Sequence, residues 1–294
     1  HVEGCRAYVA ITKGCDNFCS FCIVPKTRGR EVSRDPDNVL REVRSLVQNG
    51  AKEVWLLGQN VNSYRAGGQG FHELLDAVSQ VEGLVRLRFT SPHPNDWNNA
   101  LSDLMAARPA ICNHLHLPFQ AGSDRVLELM HRQHTIAEYL DKVRYMRAIM
   151  PDIELTTDLI VGFPTETDED FEGTLHVLEE VRFSQIFSFK YSPRPGTRAA
   201  KRPDDVPREV KEERLQRVID LQTRIEAEAG RRFVGSEQEI LIDGAHAKKR
   251  GYMNGRTGGY RPVTVHAPHL EIGDLVRVRI AGFHGHWLEG EVKD

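Results

Sequence analysis

Nowhere in these 294 residues does an apolar run approach the roughly 18 to 20 residues that a membrane-spanning helix needs. The opening His1-Val2-Glu3-Gly4-Cys5 lacks the charged-then-apolar order of a signal peptide. These two absences point to a cytoplasmic chain without a membrane partner. An excess of one charge is missing as well. Lys and Arg number 39 against 42 Asp and Glu, for a net charge of −3, so no global field draws nucleic acid and any such site must be a local patch. Cysteines are few and odd in number, five in all, which with the cytosolic features argues against a disulfide framework. Collagen, disorder and a disulfide-rich mini-protein are excluded. What is present, 40% hydrophobic and 28% charged residues, is the composition of a globular chain with one large core and room for a small second domain. His1 stands where an initiator Met is normally found, so the expectation is a piece of something longer.

From Arg6 to about Tyr191, short apolar runs alternate with amphipathic stretches, the pattern of repeated β-α units around a parallel sheet. Six strands are expected, at residues 7–12, 53–57, 85–90, 114–118, 154–162 and 185–191. Asp35-Pro36 supplies a cap and a first-turn proline for the first long helix, and Val39, Val43, Leu46 and Val47 recur on one face of it. Gly50 is placed to end that helix in a left-handed conformation. Thr165 or Thr167 caps a later helix, with acids from Asp168 to Asp170 at its positive end. A complete eight-unit barrel takes about 250 residues. Six units in a shorter span therefore predict an open, partial (β/α)6 barrel with a cleft to fill. Ser192-Pro193-Arg194-Pro195-Gly196 stops the last strand, and a charged helix over 208–231 follows. After Gly235 the texture becomes all-β, with Gly-punctuated alternating runs at 240–242, 262–266, 275–280 and 287–292, as in a small barrel of about five strands. The boundary falls near Phe233, giving domains 1–232 and 233–294.

The strongest chemical signal is Gly14-Cys15 followed by Cys19 and Cys22, immediately after the first strand. Spacings of three and two residues let one tight loop direct three thiolates at three irons of a cubane cluster, leaving the fourth iron open to a substrate or cofactor. Zinc or a cluster of reduced thiols is the alternative. A structural zinc site takes four protein ligands, and no fourth Cys or His lies at a suitable spacing.

This loop after the first strand of a partial barrel resembles that of the radical S-adenosylmethionine (SAM) superfamily. The residues around it resemble the methylthiotransferases, most closely the MiaB family, through segments 18–33, 56–63, 91–94, 116–124, 158–167 and 192–197. The resemblance implies a [4Fe-4S] cluster with one open iron on Cys15, Cys19 and Cys22, one electron passed to SAM, and a 5′-deoxyadenosyl radical. It implies transfer of a methylthio group to C-2 of N(6)-isopentenyladenosine beside the tRNA anticodon. The partners would be a tRNA anticodon stem-loop and a one-electron donor such as flavodoxin or ferredoxin, with no role for DNA. The same chemistry on a ribosomal-protein aspartate or on another modified tRNA adenosine, and a non-catalytic RNA-binding protein with a structural metal, are the alternatives.

Ligands of parallel α/β barrels sit at the C-terminal ends of the strands, which nominates SAM contacts. Gly58 and Gln59 follow the second strand; Gln120 and Ser123 follow the fourth, where they could equally cap a helix. Arg132 could pair with the SAM carboxylate or be a solvated helix charge, and Asp158 lies in the fifth strand, where it could be an ordinary satisfied polar group. Gly162-Phe163-Pro164 stands where the superfamily carries an adenine-contacting element. The histidines are expected to have ordinary packing or polar roles, and Cys5 and Cys112 to be inert thiols. The C-terminal region resembles the TRAM module, a small OB-like barrel that binds RNA. Its cations Lys248, Lys249, Arg250, Arg256 and Arg261 are interleaved with Tyr252 and Tyr260, a combination suited to phosphates and bases. A solvated hairpin is the plainer reading. The family also carries three further cysteines on a preceding domain with a second, sulfur-supplying cluster. The two spare thiols here cannot reproduce it, so that domain is expected to be cut away or supplied as a separate chain.

Overall fold

A computed structural model describes residues 2–293. Six strands, β1 (Arg6–Ala10), β2 (Glu53–Leu57), β3 (Arg86–Phe89), β4 (His114–His116), β5 (Glu154–Val161) and β6 (Gln185–Lys190), alternate with six helices. These are α1 (Pro36–Gln48), α2 (Phe71–Ser79), α3 (Asn99–Ala107), α4 (Ile136–Ile149), α5 (Asp168–Val181) and α6 (Arg208–Arg231). Pairing is parallel throughout: Arg6 with Glu53, Glu53 with Arg86, His114 with Glu154, and Thr156 with Gln185. β3 and β4 are joined only by a bridge between Leu87 and Ile111, so the sheet is pinched there. β6 and β1 are the open edges, and β1 is partly covered by the antiparallel pair Val2–Glu3. The partial (β/α)6 barrel is thus present. No helix among the described residues is long and apolar enough to cross a membrane.

Local chemistry sets the helix ends. Asp35 accepts from the Asn38 N–H, and Thr167 rather than Thr165 caps α5 in a reciprocal pair with Asp170. The expected first strand, 7–12, divides: after Ala10 the chain leaves the sheet, and Thr12–Lys13 pairs instead with Val32–Ser33. The fourth is shorter than expected because Pro118 has no N–H for the ladder, which resumes in a bridge from Gln120 to Leu159.

Side-chain alternation gives the sheet two unlike faces. Ala7, Val9, Val54, Leu56, Leu87, Leu115, Leu155 and Leu159 pack against Val43, Leu75, Val143 and Leu178 of the helices in one continuous core. The opposite face is polar and lines the bore: Arg6, Glu53, Arg88, His114, His116, Glu154 and Asp158, with the rings of Tyr8, Trp55, Phe187 and Phe189 among them.

The second unit is a closed five-stranded barrel of β7 (Glu237–Ala245), β8 (Tyr252–Thr257), β9 (Pro262–His266), β10 (Leu275–His284) and β11 (Trp287–Val292), in the order β7-β8-β9-β11-β10. β8 is an addition to the sequence reading. Gly255, which looks like turn material, sits mid-strand because a Cβ there would lie 2.8 Å from the Leu241 carbonyl oxygen. Ile240, Ile242, Val263, Val265, Val278, Ile280 and Leu288 fill its interior.

This small barrel closes the N-terminal end of the bore. Arg86 donates to the carbonyls of Arg256 (2.6 Å) and Glu239 (3.1 Å), and Arg88 donates to Glu53 (2.8 Å) and to the Thr257 carbonyl (3.1 Å). Arg261 grips Glu154 with two bonds of 2.9 Å, and Arg6 bridges Glu53 and Asp243. Tyr260 enters from below, edge-on to Trp55 with ring centroids 5.1 Å apart and under the Arg88 guanidinium at 4.8 Å. Gly259 allows this approach, since a Cβ there would meet the Glu154 side chain at 2.5 Å.

Candidate active site

The cysteine loop projects from the C-terminal end of β1, opposite the small barrel, and is tied down along its length. Gly14 adopts φ +80° and has no space for a side chain, because a Cβ would overlap the Arg30 carbonyl. Its N–H donates to Gln59 Oε1 at 2.6 Å, and the Cys15 N–H to the Gly29 carbonyl at 3.3 Å. Asp16 is clamped by Arg30 through bonds of 2.7 and 3.0 Å, Phe18 is left-handed at φ +47°, and a turn carries the Cys22 N–H to the Cys19 carbonyl at 3.0 Å. Ser20 donates through its N–H to Met130 and through its hydroxyl to Leu129.

All three loop thiols are free and half-buried. Burial, with Cys19 and Cys22 alongside, pushes the Cys15 thiol up to about 11, and burial also raises Cys22. A metal must therefore displace protons to gain these ligands. Among the described residues no three Cys, His, Asp or Glu side chains converge on a single ion. A cubane binds each thiolate to a different iron, and one tight loop here carries three free thiols. The donor set therefore suits the cluster.

The other nominated residues divide. Asp158 faces the bore, with Oδ1 3.4 Å from His116 Nε2. Gln120 is buried at the mouth in a left-handed turn, φ +70°, its N–H donating to the Asp158 carbonyl and its own carbonyl accepting from Ile160. Four further nominated residues also have contacts within the chain. Gly58 is small because a Cβ would strike Thr12 Oγ1, and the Gln59 side chain is used on Gly14. Ser123 caps the short helix Asp124–Leu129 and donates to Asp170. Arg132 is buried rather than solvated: it donates to the Pro118 carbonyl at 2.8 Å, and Nη1 lies 3.6 Å from Cys19 Sγ.

On the small barrel, Lys248, Lys249 and Arg250 are exposed in the turn between β7 and β8, with the Lys249 ammonium 5.1 Å from the Tyr252 ring centroid and 5.7 Å from that of Trp287. Arg256 and Arg261 do not join them. Arg261 is 9% exposed and bound to Glu154, while Arg256 faces Asp243 and covers Tyr260. Both cations, and the Tyr260 ring, are committed to the seam because they lie on the end of the small barrel that meets β1–β5. Sequence reasoning missed the bore-facing rings of Tyr8, Phe187 and Phe189. The alternation in Gln185-Ile186-Phe187-Ser188-Phe189 was the available signal for the last two.

Residues 9–178 match the Radical SAM superfamily and residues 231–293 the TRAM domain. The chain is 47% identical over 293 residues to a tRNA-2-methylthio-N(6)-dimethylallyladenosine synthase of Acetivibrio thermocellus, covering 99% of this chain and 61% of that protein. A protein of the same name from Chlorobium limicola is 50% identical over 283 residues, 95% of this chain and 64% of the relative. The chain thus spans somewhat under two thirds of the length of these relatives. Among solved structures, the radical S-adenosylmethionine methyltransferase TsrM from Kitasatospora setae superimposes with a TM-score of 0.56 at 19% identity, covering 66% of this chain and 38% of that one. Methylornithine synthase superimposes with a TM-score of 0.51 at 15% identity, over 74% and 62% of the two chains. With a three-cysteine loop at the mouth of a six-stranded open barrel and a superfamily match across more than half its length, this chain belongs to the radical SAM superfamily.

Proposed function

We propose that this chain is the SAM-cleaving and RNA-binding part of a methylthiotransferase that modifies N(6)-dimethylallyladenosine in tRNA. The observation that carries the reading is the cysteine loop at one end of an open bore whose other end is closed by a TRAM barrel, in a chain so similar to relatives of that name. When bound, a [4Fe-4S] cluster supplies the electron that cleaves SAM to methionine and a 5′-deoxyadenosyl radical. Cys15, Cys19 and Cys22 would hold it. Gln59 and Gly14 fix the loop, and Arg132 offers an N–H toward the Cys19 sulfur. Gln120 and Asp158 are the polar groups best placed for the cofactor. The charged seam under Arg88 and Tyr260 closes the bore from below. An acidic one-electron carrier such as flavodoxin or ferredoxin supplies the electron. The sulfur comes from a second cluster held outside these residues, since Cys5 and Cys112 are both buried and have no third thiol beside them.

Anaerobic reconstitution with iron and sulfide tests this. The chain should take up iron and convert SAM to 5′-deoxyadenosine and methionine; alanine at Cys15, Cys19 or Cys22 should abolish both, whereas alanine at Cys5 or Cys112 should abolish neither. Methylthiolated adenosine should form only when a polypeptide bearing the second cluster is added, and product from this chain alone would overturn the two-cluster reading. Neutralising Lys248, Lys249 and Arg250 should weaken tRNA binding and flatten its salt dependence, by about 0.7 to 0.9 in logarithmic slope for each phosphate that is no longer neutralised. An unchanged slope would leave that turn a solvated hairpin.

A further inference from the structure

Two kinds of side chain on one continuous segment have no role in holding the fold. Phe187 and Phe189 face the bore from β6 and are 44% and 54% exposed, while Ile186, just before them and on the opposite face, packs against the core. They are bare because the bore they face is open beside β6, which among the described residues pairs on one edge only. Phe187 pairs in register with Asp158 and lies edge-on to His116, with centroids 5.8 Å apart. One ring therefore adjoins the His116–Asp158 pair, and the other lies one residue pair nearer the mouth, in register with Ile160.

Directly beyond β6 the chain carries Arg194, Arg198, Lys201 and Arg202, all exposed. This loop folds onto the cysteine loop: the Ala199 N–H donates to the Ser20 carbonyl at 2.8 Å, and the Lys26 ammonium lies against Gly196. Exposed Lys26 and Arg28 thereby join the group. The acids nearby are already committed, Asp16 to Arg30, Asp204 to Lys211, and Asp205 to the Thr165 N–H. Among the described residues no carboxylate pairs with any of these six cations, so a polyanion would relieve their mutual repulsion. An acidic protein could meet such charge, but it has no use for stacking rings that lead inward from it.

We propose that this segment reads a single-stranded RNA loop: Phe187 and Phe189 stack an extruded base inside the bore, while Arg194 and Arg198, with Lys26 and Arg28, hold the flanking phosphates. This rests on the RNA substrate proposed above and assigns its point of entry, at the end of the bore opposite the TRAM barrel.

The test uses the full chain and an anticodon stem-loop RNA with 2-aminopurine at the target position. Binding should quench the fluorescence by stacking. Phe187→Ala and Phe189→Ala should each restore it and weaken binding between about fivefold and about 150-fold. The Arg194→Ala/Arg198→Ala double variant should lower the slope of log affinity against log salt by about 1.4, two phosphates at about 0.7 each. All four side chains are exposed, and unchanged thermal unfolding of the variants checks their folding. Unaltered quenching and slope in these variants, with RNA binding lost only on neutralising Lys248, Lys249 and Arg250, would overturn the assignment while leaving the RNA reading intact. Absence of salt-dependent RNA binding by the unsubstituted chain would overturn that reading itself. Variants that keep RNA affinity but are no longer reduced by flavodoxin would assign the cations to an electron donor and overturn the proposal.

Discussion

His93 and His134 meet edge to face beside Arg132, with ring centroids 6.1 Å apart, and both are more than nine-tenths buried. Burial, reinforced by the Arg132 charge, holds His93 down to about 2 and His134 down to about 3, and burial holds His114 below its ordinary range too. All three imidazoles are neutral in the native chain at neutral pH, whereas in the unfolded chain each takes a proton near pH 6.5. The sign follows from linkage: the unfolded state binds more protons below that value, so stability is complete above about pH 6.5 and is lost as pH falls toward the native values. Each imidazole contributes a slope of up to about 1.4 kcal/mol per pH unit. Urea midpoints should therefore fall between pH 7 and pH 5. His134→Gln should reduce that dependence by about one proton; a pH slope equal to the parent's would show that His134 is protonated in the native state.

At the scale of elements, the mouth depends on how closely α5 approaches the loop after β4. Gly122 and Gly173 lie face to face: a Cβ on Gly173 would come 2.5 Å from the Gly122 carbonyl, and one on Gly122 would overlap the backbone of Thr174. Asp170 locks the two together, accepting from Ser123, Arg125 and the Thr167 N–H. Gly122→Ala should push α5 off the loop that carries Gln120 and cost roughly 1 to 3 kcal/mol, the usual range for overpacking a close approach, read from the shift in urea midpoint. An unshifted midpoint would mean that the helix can yield at no cost. The helices themselves were legible in sequence from apolar spacing and caps, as with α1 behind Asp35 and α6 over Arg208–Arg231. Ser123 was legible only as a cap or a ligand, because its partner Asp170 lies 47 residues away on another helix.

Over the whole molecule, the seam makes the two barrels a single mechanical unit. Arg261 and Glu154 have side chains 10% and 13% exposed and pair bidentately. Removing one partner of such a pair leaves a buried charge unmatched and typically costs about 3 to 5 kcal/mol. Arg261→Ala should therefore open the seam, giving separate melting transitions and faster proteolysis between Arg231 and Glu237, while the Glu154→Gln/Arg261→Met pair should recover part of the loss. A single unshifted transition in Arg261→Ala would show the seam to be held by Arg86, Arg88 and Tyr260 without it. Six β-α units, the cysteine loop and the all-β character of the last sixty or so residues are readable along the chain. Each of these depends on periodicity, capping or spacing within a few residues, which a linear reading can see. It takes the packed molecule to show that Arg256, Arg261 and Tyr260 close the bore while Lys248, Lys249 and Arg250 face solvent, that Arg132 turns to Cys19, and that Phe187 and Phe189 remain bare. A charged or aromatic side chain carries no local mark of its partner, and Arg261 finds Glu154 across 107 residues because two separately folded barrels bring them together.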